Sequence, residues 1–326
     1  MKTFYKNLII TSAFLAALSA DAIGPVVTDL SLNVSPQYPS AGENFTVKAK
    51  SFTFDPVRAN FQWLLNGKIV SSGKGLSEQI FTASKLGSQM TIKAVATMNG
   101  GSSFGAQIIV NVADIDLIAS PLTYTPLFYR GYSFASPGAV VEIYAVPHLF
   151  SGGARIAPKN LIYEWFVDGN KFSAKSGEGK NKFILDTWDA GNASYDIGLK
   201  VSSSGGSISV QKNIRIRPQN PQVLFYEINK LTGRKNLAHS SFFLRSGETL
   251  SVLAEPYFFG LASLNRAAVS WNANGNVIDT TSENPKILEV TAPENSISST
   301  NFGSSIEDAK TIYQRAAAEL TITVTE

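Results

Sequence analysis

The chain contains few side chains of the kinds that perform catalysis. It has no cysteine, and its two histidines, His148 and His239, lie far apart. These histidines match no metal-ligand spacing, such as two histidines four residues apart on a helix. The sequence therefore predicts no thiol chemistry, no cysteine- or histidine-ligated metal and no cofactor.

Two glycine-rich segments, residues 73–75 and 177–180, resemble phosphate-binding loops only superficially. A phosphate-binding loop leads from a strand into a helix with a fixed glycine spacing, whereas these segments lie between short strand-like runs. We interpret both as turns. The sequence also lacks a Gly-x-Ser-x-Gly elbow, and no catalytic residue can be named. We expect a protein that is not an enzyme.

Acidic residues cluster in two places. Asp114 and Asp116 lie near a predicted domain boundary, and Asp186 and Asp189 flank Trp188. Calcium needs six to eight oxygen ligands, and no EF-hand series accompanies either group. We therefore predict no metal site.

Aromatic residues in polar settings are the remaining candidates for binding. Trp188 could stack on a sugar ring, anchor a partner protein or cover the end of a domain. Tyr257 and Phe258, like the pair at 128–129, could contact a ligand or pack between neighbouring domains.

A repeated unit must position these residues. The hexapeptide that begins at Trp63 returns at Trp165 and again at Trp271, and each copy carries Asn-Gly or Asp-Gly after the tryptophan. A two-residue hairpin turn of this kind needs φ > 0 at both central residues. Glycine adopts this freely and Asn or Asp tolerates it, so each pair predicts a hairpin. We predict that the three tryptophans fill the cores of their units.

Alternating apolar and polar residues around each hairpin indicate half-buried strands, as at 44–50 and 249–254. Short strands bounded by turns predict an all-β chain of three tandem Ig-like/PKD-like antiparallel β-sandwich domains after a signal peptide. The predicted domains are 23–113, 114–217 and 218–326, with short linkers at 113–116 and 215–221.

The third predicted domain departs from the repeat. Within 301–318, the spacing of Ile306, Ala309, Ile312 and Tyr313 predicts a short helix at 305–315. The alternating run at 319–324 has no later partner, so this domain has one strand fewer or the chain continues. Pro256 should end its strand and turn the following aromatics over the end of the sandwich.

The first 22 residues have the parts of a secretory signal. Lys2 and Lys6 precede an apolar run at 8–18, and the small residues Ala20 and Ala22 fit a peptidase site. We expect cleavage after Ala22, export to the extracellular space, periplasm or cell surface, and no membrane span in the mature chain. A net charge of +3 argues against a nucleic-acid partner.

The order of these features resembles the PKD-like and Ig-like domains of bacterial exported proteins. It is similar, more narrowly, to surface proteins of small-genome, candidate-phylum bacteria in which a stretch like 254–259 accompanies such repeats. The Gly-Asp-Gly turn usual in PKD domains is absent. The resemblance implies an envelope-associated scaffold and no catalytic residue.

Two functions follow as hypotheses. The first is a non-catalytic exported array that acts as a spacer, scaffold or adhesion module by contacting other envelope or surface proteins. The second is a carbohydrate- or ligand-binding module that uses loop aromatics such as Trp188, with glycans as partners.

Overall fold

A computed structural model describes residues 29–188, 194–229, 231–294 and 297–326. The predicted signal peptide lies outside these residues. Two compact units can be distinguished by their internal contacts. Among the described residues, the first comprises 29–33, Val47–Gln79 and Thr91–Ile108, and the second comprises Val34–Thr46 with the described parts of 80–90 and 109–326.

The N-terminal strands form two sheets, with orders β1-β2-β5 and β4-β3-β6-β7. Their bounds are β1 (Ser31–Ser35), β2 (Asn44–Lys50), β3 (Asn60–Leu65), β4 (Lys68–Lys74), β5 (Glu78–Thr82), β6 (Gln89–Thr97) and β7 (Ser103–Asn111). Alternate residues of β2 and β6 are buried, as the period-2 pattern predicts.

Ten strands form the next group, which we call the middle sandwich. They are β8 (Asp114–Pro121), β9 (Val140–His148), β10 (Phe150–Ser151), β11 (Ala154–Arg155), β12 (Leu161–Val167), β13 (Asn170–Lys171), β14 (Gly177–Glu178), β15 (Lys182–Asp186), β16 (Tyr195–Ser203) and β17 (Ser209–Ile216). The sheets β15-β9-β8 and β13-β12-β16-β17 enclose one apolar core that contains Ile143, Trp165 and Leu199.

The remaining strands form the C-terminal sandwich. They are β18 (Gln222–Asn229), β19 (Gly233–Ala238), β20 (Ser241–Arg245), β21 (Thr249–Tyr257), β22 (Ala268–Ala273), β23 (Asn276–Ile278), β24 (Ile287–Thr291), β25 (Ser298–Glu307) and β26 (Arg315–Thr325), with the one-turn helix α1 (Leu261–Leu264) after β21. The sheets β19-β18-β21-β24 and β20-β26-β25-β22-β23 share a core around Trp271. The prediction of an all-β chain of tandem β-sandwich domains is confirmed, whereas the predicted domain boundaries stay predictions.

The repeated hairpin has the same geometry in all three copies. The residue pairs at 66–67, 168–169 and 274–275 have positive φ at both positions, as the Asn-Gly and Asp-Gly signals predict. In each turn the Asn or Asp side chain accepts a hydrogen bond from a backbone N–H of the strand that flanks the first hairpin strand on its other side, at Thr91, Asp196 and Asn301. The turn residue therefore holds two strands together besides closing the hairpin.

The predicted helix at 305–315 is wrong. This segment contains the end of β25, a turn and the start of β26. β26 is antiparallel to β25 and parallel to β20. The three alanines at 316–318 therefore lie in a strand of the sheet. The antiparallel ladder with β25 outweighs the helix propensity of alanine here, and β20 pairs further along, at residues 321–325. The last strand, β26, therefore has partners on both sides that come earlier in the chain, β25 and β20.

The strand that contains Pro256 ends one residue after it, at Tyr257, close to the expected end, and β9 likewise ends one residue after a proline. Pro147 lies in β9 and Pro256 lies in β21. The N–H of Ala145 points towards the β15 side, and that of Ala254 points towards the β24 side. Backbone N–H groups of residues two apart in a strand point to the same side, so the nitrogens of Pro147 and Pro256 also face the β15 and β24 sides. On those sides the pairing has already ended, at Tyr144 and at Leu253. No ladder hydrogen bond is lost.

Both predicted linkers overlap strands of the middle sandwich. β8 begins at Asp114 and Ile115 is buried, and β17 continues to Ile216, which is buried too, so only residues 217–221 of the second linker lie between strands.

Candidate functional site

The three repeated tryptophans occupy equivalent buried positions. Trp63, Trp165 and Trp271 are 0%, 0% and 2% exposed. Each indole N–H donates a hydrogen bond of 2.8–2.9 Å to a backbone carbonyl 13 to 15 residues further along the chain. The indole therefore anchors the loop that follows its hairpin as well as filling space.

Three of the ionisable residues considered above, Asp114, Asp116 and His148, have polar partners in the protein. His148 Nε2 lies 2.9 Å from Asp116 Oδ2, and Asp114 accepts a hydrogen bond from Lys212 Nζ at 3.1 Å. Asp189 lies outside the described residues. Within the part of the chain that the structure describes, no group of three or more His, Asp or Glu side chains is placed to hold a metal ion.

Tyr257 and Phe258 are not surface aromatics. They are 4% and 6% exposed, and together with Tyr226 they form a buried cluster against which Tyr129 packs. This corrects the expectation that Tyr257 and Phe258 contact a ligand, because no external molecule can reach their rings. The alternative interpretation, packing between neighbouring domains, describes their position.

This cluster belongs to a junction between the middle and C-terminal sandwiches. The segment after β8 and the segment after β21 form a short antiparallel ladder, with a bridge between Thr123 and Gly260. The N–H of Tyr124 donates to Phe259 O at 2.6 Å, and the N–H of Phe258 donates to Tyr124 O at 2.7 Å. Backbone hydrogen bonds thus run from one sandwich into the other.

Aromatic rings surround this ladder. Phe134 and Tyr129 meet Phe258 edge to face at centroid distances of 5.2 and 5.8 Å. The hydroxyls of Tyr226 and Tyr257 are 2.6 Å apart, and burial together with this bond raises the pKa of Tyr257. Edge-to-face pairs add about 0.5–1.5 kcal/mol each beyond their buried area.

Phe258 has a φ of 62°. A bulky residue in this left-handed region costs about 1–3 kcal/mol and persists only where its surroundings hold it. Here the hydrogen bond to Tyr124 O and the rings of Tyr129 and Phe134 supply that restraint. The junction therefore fixes a backbone conformation that the isolated strand end would not prefer.

Arg234 extends the junction at one side. Its guanidinium carbon lies 3.3 Å from the centroid of the Phe128 ring and 4.9 Å from that of Tyr226. Phe128 and Tyr226 are themselves edge to face at 5.4 Å. The cation therefore stacks on a ring from each sandwich.

Gln314 also belongs to the junction and is fully buried. Its Nε2 donates to Ser136 Oγ at 2.9 Å and to Pro137 O at 2.6 Å, and its Oε1 accepts from the N–H of Gly260 at 2.6 Å. One side chain of the C-terminal sandwich thus satisfies polar groups of both sandwiches.

The sequence signals for this junction were incomplete. The aromatic run at 254–259 and the aromatic pair at 128–129 can be recognised in the sequence, and both belong to the junction. Tyr124, Tyr226 and Gln314 were missed, because a single tyrosine or glutamine has no periodic pattern that would reveal a long-range partner.

Trp188 differs from the other tryptophans because it is 68% exposed. It follows Thr187, which is fully buried and whose backbone exchanges hydrogen bonds with Gly138 and Ala139. The exposed indole of Trp188 therefore follows directly after a residue whose backbone is fixed by hydrogen bonds.

Comparison with known proteins gives only distant structural similarity. No protein-family model and no curated protein matches the chain. The fibronectin(III)-like modules of Clostridium thermocellum CbhA are 15% identical over 58% of this chain and 94% of that chain, with a TM-score of 0.29. Three N-terminal domains of the bacteriophage RB49 Hoc protein are 13% identical over 90% of this chain and 98% of that one, with a TM-score of 0.27.

The Bacteroides ovatus glucan-utilization protein SGBP-B, solved with a mixed-linkage heptasaccharide, is 14% identical over 91% of this chain and 70% of that chain, with a TM-score of 0.23. Scores of this size carry no argument about a ligand or partner. Among the residues described, no helix has the length and apolar character needed to cross a membrane.

Proposed function

We propose that this protein is a non-catalytic exported array of β-sandwiches that serves at the cell envelope as a spacer, scaffold or adhesion module through protein–protein contacts. The supporting observation is the junction of the middle and C-terminal sandwiches. Its hydrogen bonds and rings are buried, so they suit a stiff support better than a ligand pocket. A spacer needs such stiffness, because a flexible chain transmits neither distance nor orientation.

The absence of cysteine allows a direct test of this stiffness. Spin labels on Lys175→Cys and Val277→Cys, one exposed position in each sandwich, would report a single narrow distance distribution. Gln314→Ala should broaden it, whereas Ile312→Ala, a change of an exposed side chain in the same turn, should not. A broad distribution in the otherwise unmodified protein would contradict the spacer role.

Exposed apolar side chains at 312–313 support the adhesion part of the proposal. Ile312 is 67% exposed and Tyr313 is 40% exposed, in the turn that carries Gln314. Neighbouring exposed apolar residues are a common feature of protein-binding surfaces. A photo-cross-linking residue at position 312, in cells that make the protein, should yield a discrete protein adduct that the same residue at position 175 does not. Equal labelling at both positions would count against it.

A second candidate function is glycan binding through Trp188. An exposed indole that follows an anchored residue can stack on a sugar ring with little loss of side-chain freedom. Binding on a glycan array should then be lost in Trp188→Ala and retained in Phe243→Ala, a control that removes an exposed ring from the C-terminal sandwich. Retention in both variants would dismiss this role.

Export and the lack of enzymatic activity are parts of the same proposal. The bacterial context and the cleavage after Ala22 rest on the sequence. N-terminal sequencing of protein recovered outside the cytoplasm should give Ile23 as the first residue. Turnover of any substrate in a broad hydrolase panel by the purified chain would refute the non-catalytic assignment.

A further inference from the structure

The middle sandwich carries an open cavity of about 560 Å³ on the outward face of the sheet β13-β12-β16-β17. We call it the sheet-face trough. The lining residues used below are Phe166 of β12, Asp196 and Gly198 of β16, and Gln211, Asn213 and Arg215 of β17.

Strand register brings an aromatic ring and an amide together across this face. Phe166 lies opposite Gly198, and Gly198 lies opposite Asn213. Residues directly opposite in an antiparallel sheet project to the same side. A Cβ at position 198 would lie 3.0 Å from Asn213 Oδ1 and 3.4 Å from Phe166 Cβ. The glycine therefore leaves a backbone floor on which Phe166 and Asn213 converge.

A fixed charge pair forms one end of the trough. Arg215 Nε donates to Asp196 Oδ1 at 2.5 Å, and Arg215 Nη2 donates to Asp196 Oδ2 at 2.8 Å. This two-point contact fixes both planar groups, yet each retains hydrogen-bonding capacity for a ligand.

The two amides of the trough are available to a ligand. Gln211 and Asn213 are exposed, and within the described residues neither side chain makes a hydrogen bond to the protein. An amide presents a donor and an acceptor side by side, which matches the alternation of donors and acceptors on adjacent hydroxyl groups.

We propose that the sheet-face trough binds a neutral oligosaccharide. A sugar ring presents C–H groups on its faces, which suit Phe166, and hydroxyls at its edge, which suit Asn213, Gln211 and the Asp196–Arg215 pair. A peptide gains less here, because the main-chain groups of β16 are already paired with strands on both sides.

The charges on this face favour an uncharged ligand. Asp196 is paired with Arg215, and Glu164 is paired with Lys171 and Lys200. Two carboxylates and three cations leave a net charge of 3 − 2 = +1 on this group, which attracts an ion only weakly.

A second cavity, of about 410 Å³, indicates that the ligand is longer than one ring. It shares Arg215 with the trough and contains Arg217 and Tyr132, whose side chain is 89% exposed. A chain lying on Phe166 and passing Arg215 would reach the ring of Tyr132. This proposal depends neither on the stiffness of the junction nor on Trp188.

Isothermal titration of the whole mature chain with cellohexaose, xylohexaose, mannohexaose and chitohexaose tests the proposal. At least one should bind with a Kd below about 1 mM. Phe166→Ala and Asn213→Ala should each weaken that binding about tenfold or more, whereas Phe243→Ala and Trp188→Ala should not change it. Asn213 is exposed, so its variant keeps the test valid if Phe166→Ala fails to fold. Tyr132→Ala should weaken the hexasaccharide but not the matching disaccharide.

Three results would overturn the proposal. The first is the absence of binding to all four hexasaccharides. The second is binding that is lost in Trp188→Ala and kept in both trough variants, which would assign the sugar to Trp188. The third is tighter binding of hexagalacturonate that disappears in about 0.5 M salt, since the ligand would then be an anion.

Discussion

The phenolic O–H of Tyr124 donates a hydrogen bond of 2.8 Å to Oε1 of Glu255, which joins the middle sandwich to β21 of the C-terminal one. Glu255 is only 6% exposed. A buried carboxylate is costly unless it is hydrogen-bonded or paired, so this bond stabilises a group that the junction has removed from water.

Tyr124→Phe should therefore lower the free energy of unfolding of the C-terminal part by about 1–3 kcal/mol, because Glu255 loses a donor while the ring is kept. Urea unfolding at neutral pH measures the change. Tyr132→Phe, which removes an exposed hydroxyl, is the matched control and should leave the transition in place. Superimposable curves for Tyr124→Phe and wild type would show that water replaces the hydroxyl at no cost.

The same contact predicts a loss of stability in alkali. Burial, and then the bond to Glu255, raise the pKa of Tyr124 from 10.0 to about 12. A raised folded-state pKa contributes stability in full below about pH 10, and this contribution is lost as the pH rises towards 12, because the unfolded chain ionises first. Urea midpoints at pH 9 and pH 11 should fall less in Tyr124→Phe than in wild type. An equal fall would assign the loss to other groups.

Gln314→Ala removes three hydrogen bonds at once and leaves the N–H of Gly260 buried without its acceptor. One unsatisfied buried group costs about 1–3 kcal/mol, so we expect a loss at or above that range. Thermal unfolding should show it, with Ile312→Ala unchanged. Gln314→Glu is informative too, because a carboxylate keeps the acceptor for Gly260 but cannot donate to Pro137.

The buried indoles allow a prediction that compares chemically identical changes. Trp165→Ala should destabilise the middle sandwich by about 3–5 kcal/mol, the range for deletion of a buried aromatic. The loop after its hairpin also loses the hydrogen bond to Lys180 O. Trp188→Ala removes the same side chain from an exposed position and should leave the melting temperature nearly unchanged. Similar melting temperatures for the two variants would refute the core assignment.

The features that sequence reasoning found are those that depend on neighbouring residues. A tryptophan followed by Asn-Gly or Asp-Gly is local chemistry, so the hairpins and the all-β fold were predictable. The helix expected at 305–315 is absent because local spacing does not report that the two halves of this region pair with each other as β25 and β26. The proline indicated the end of β21 to within one residue, but the sequence does not show that β18 still pairs with Pro256 and Tyr257.

The candidate site was less predictable than the fold. The sequence marks Tyr257 and Phe258 as candidate contacts, but only the structure shows that their rings are buried. It also shows that Tyr124 is hydrogen-bonded to Glu255. Phe166 and Asn213 look like ordinary outward residues of two strands. Their meeting over Gly198 depends on strand register, which the sequence does not specify.

Asp308 is the buried carboxylate of the turn between β25 and β26. It is 2% exposed and accepts hydrogen bonds from Arg266 Nη2 at 2.6 Å and from the N–H of Lys310 at 3.1 Å. Burial alone would raise its pKa, but these bonds, with those from Ser263 and Thr311, outweigh burial and hold the pKa at about 2.

A folded-state pKa below the ordinary 3.8 means that Asp308 contributes stability above about pH 4 and that this contribution is lost as the pH falls towards 2. Asp308→Asn should therefore reduce the free energy of unfolding at pH 7 by about 1–3 kcal/mol and flatten its dependence on pH in acid. Urea titrations at pH 7, 4 and 3 test both effects. Asp196→Asn is the control, because its bond to Arg215 is exposed and screened by water, and it should change stability little. If the two variants behave alike, the ion pair between the buried Asp308 and the partly exposed Arg266 adds nothing beyond a surface contact.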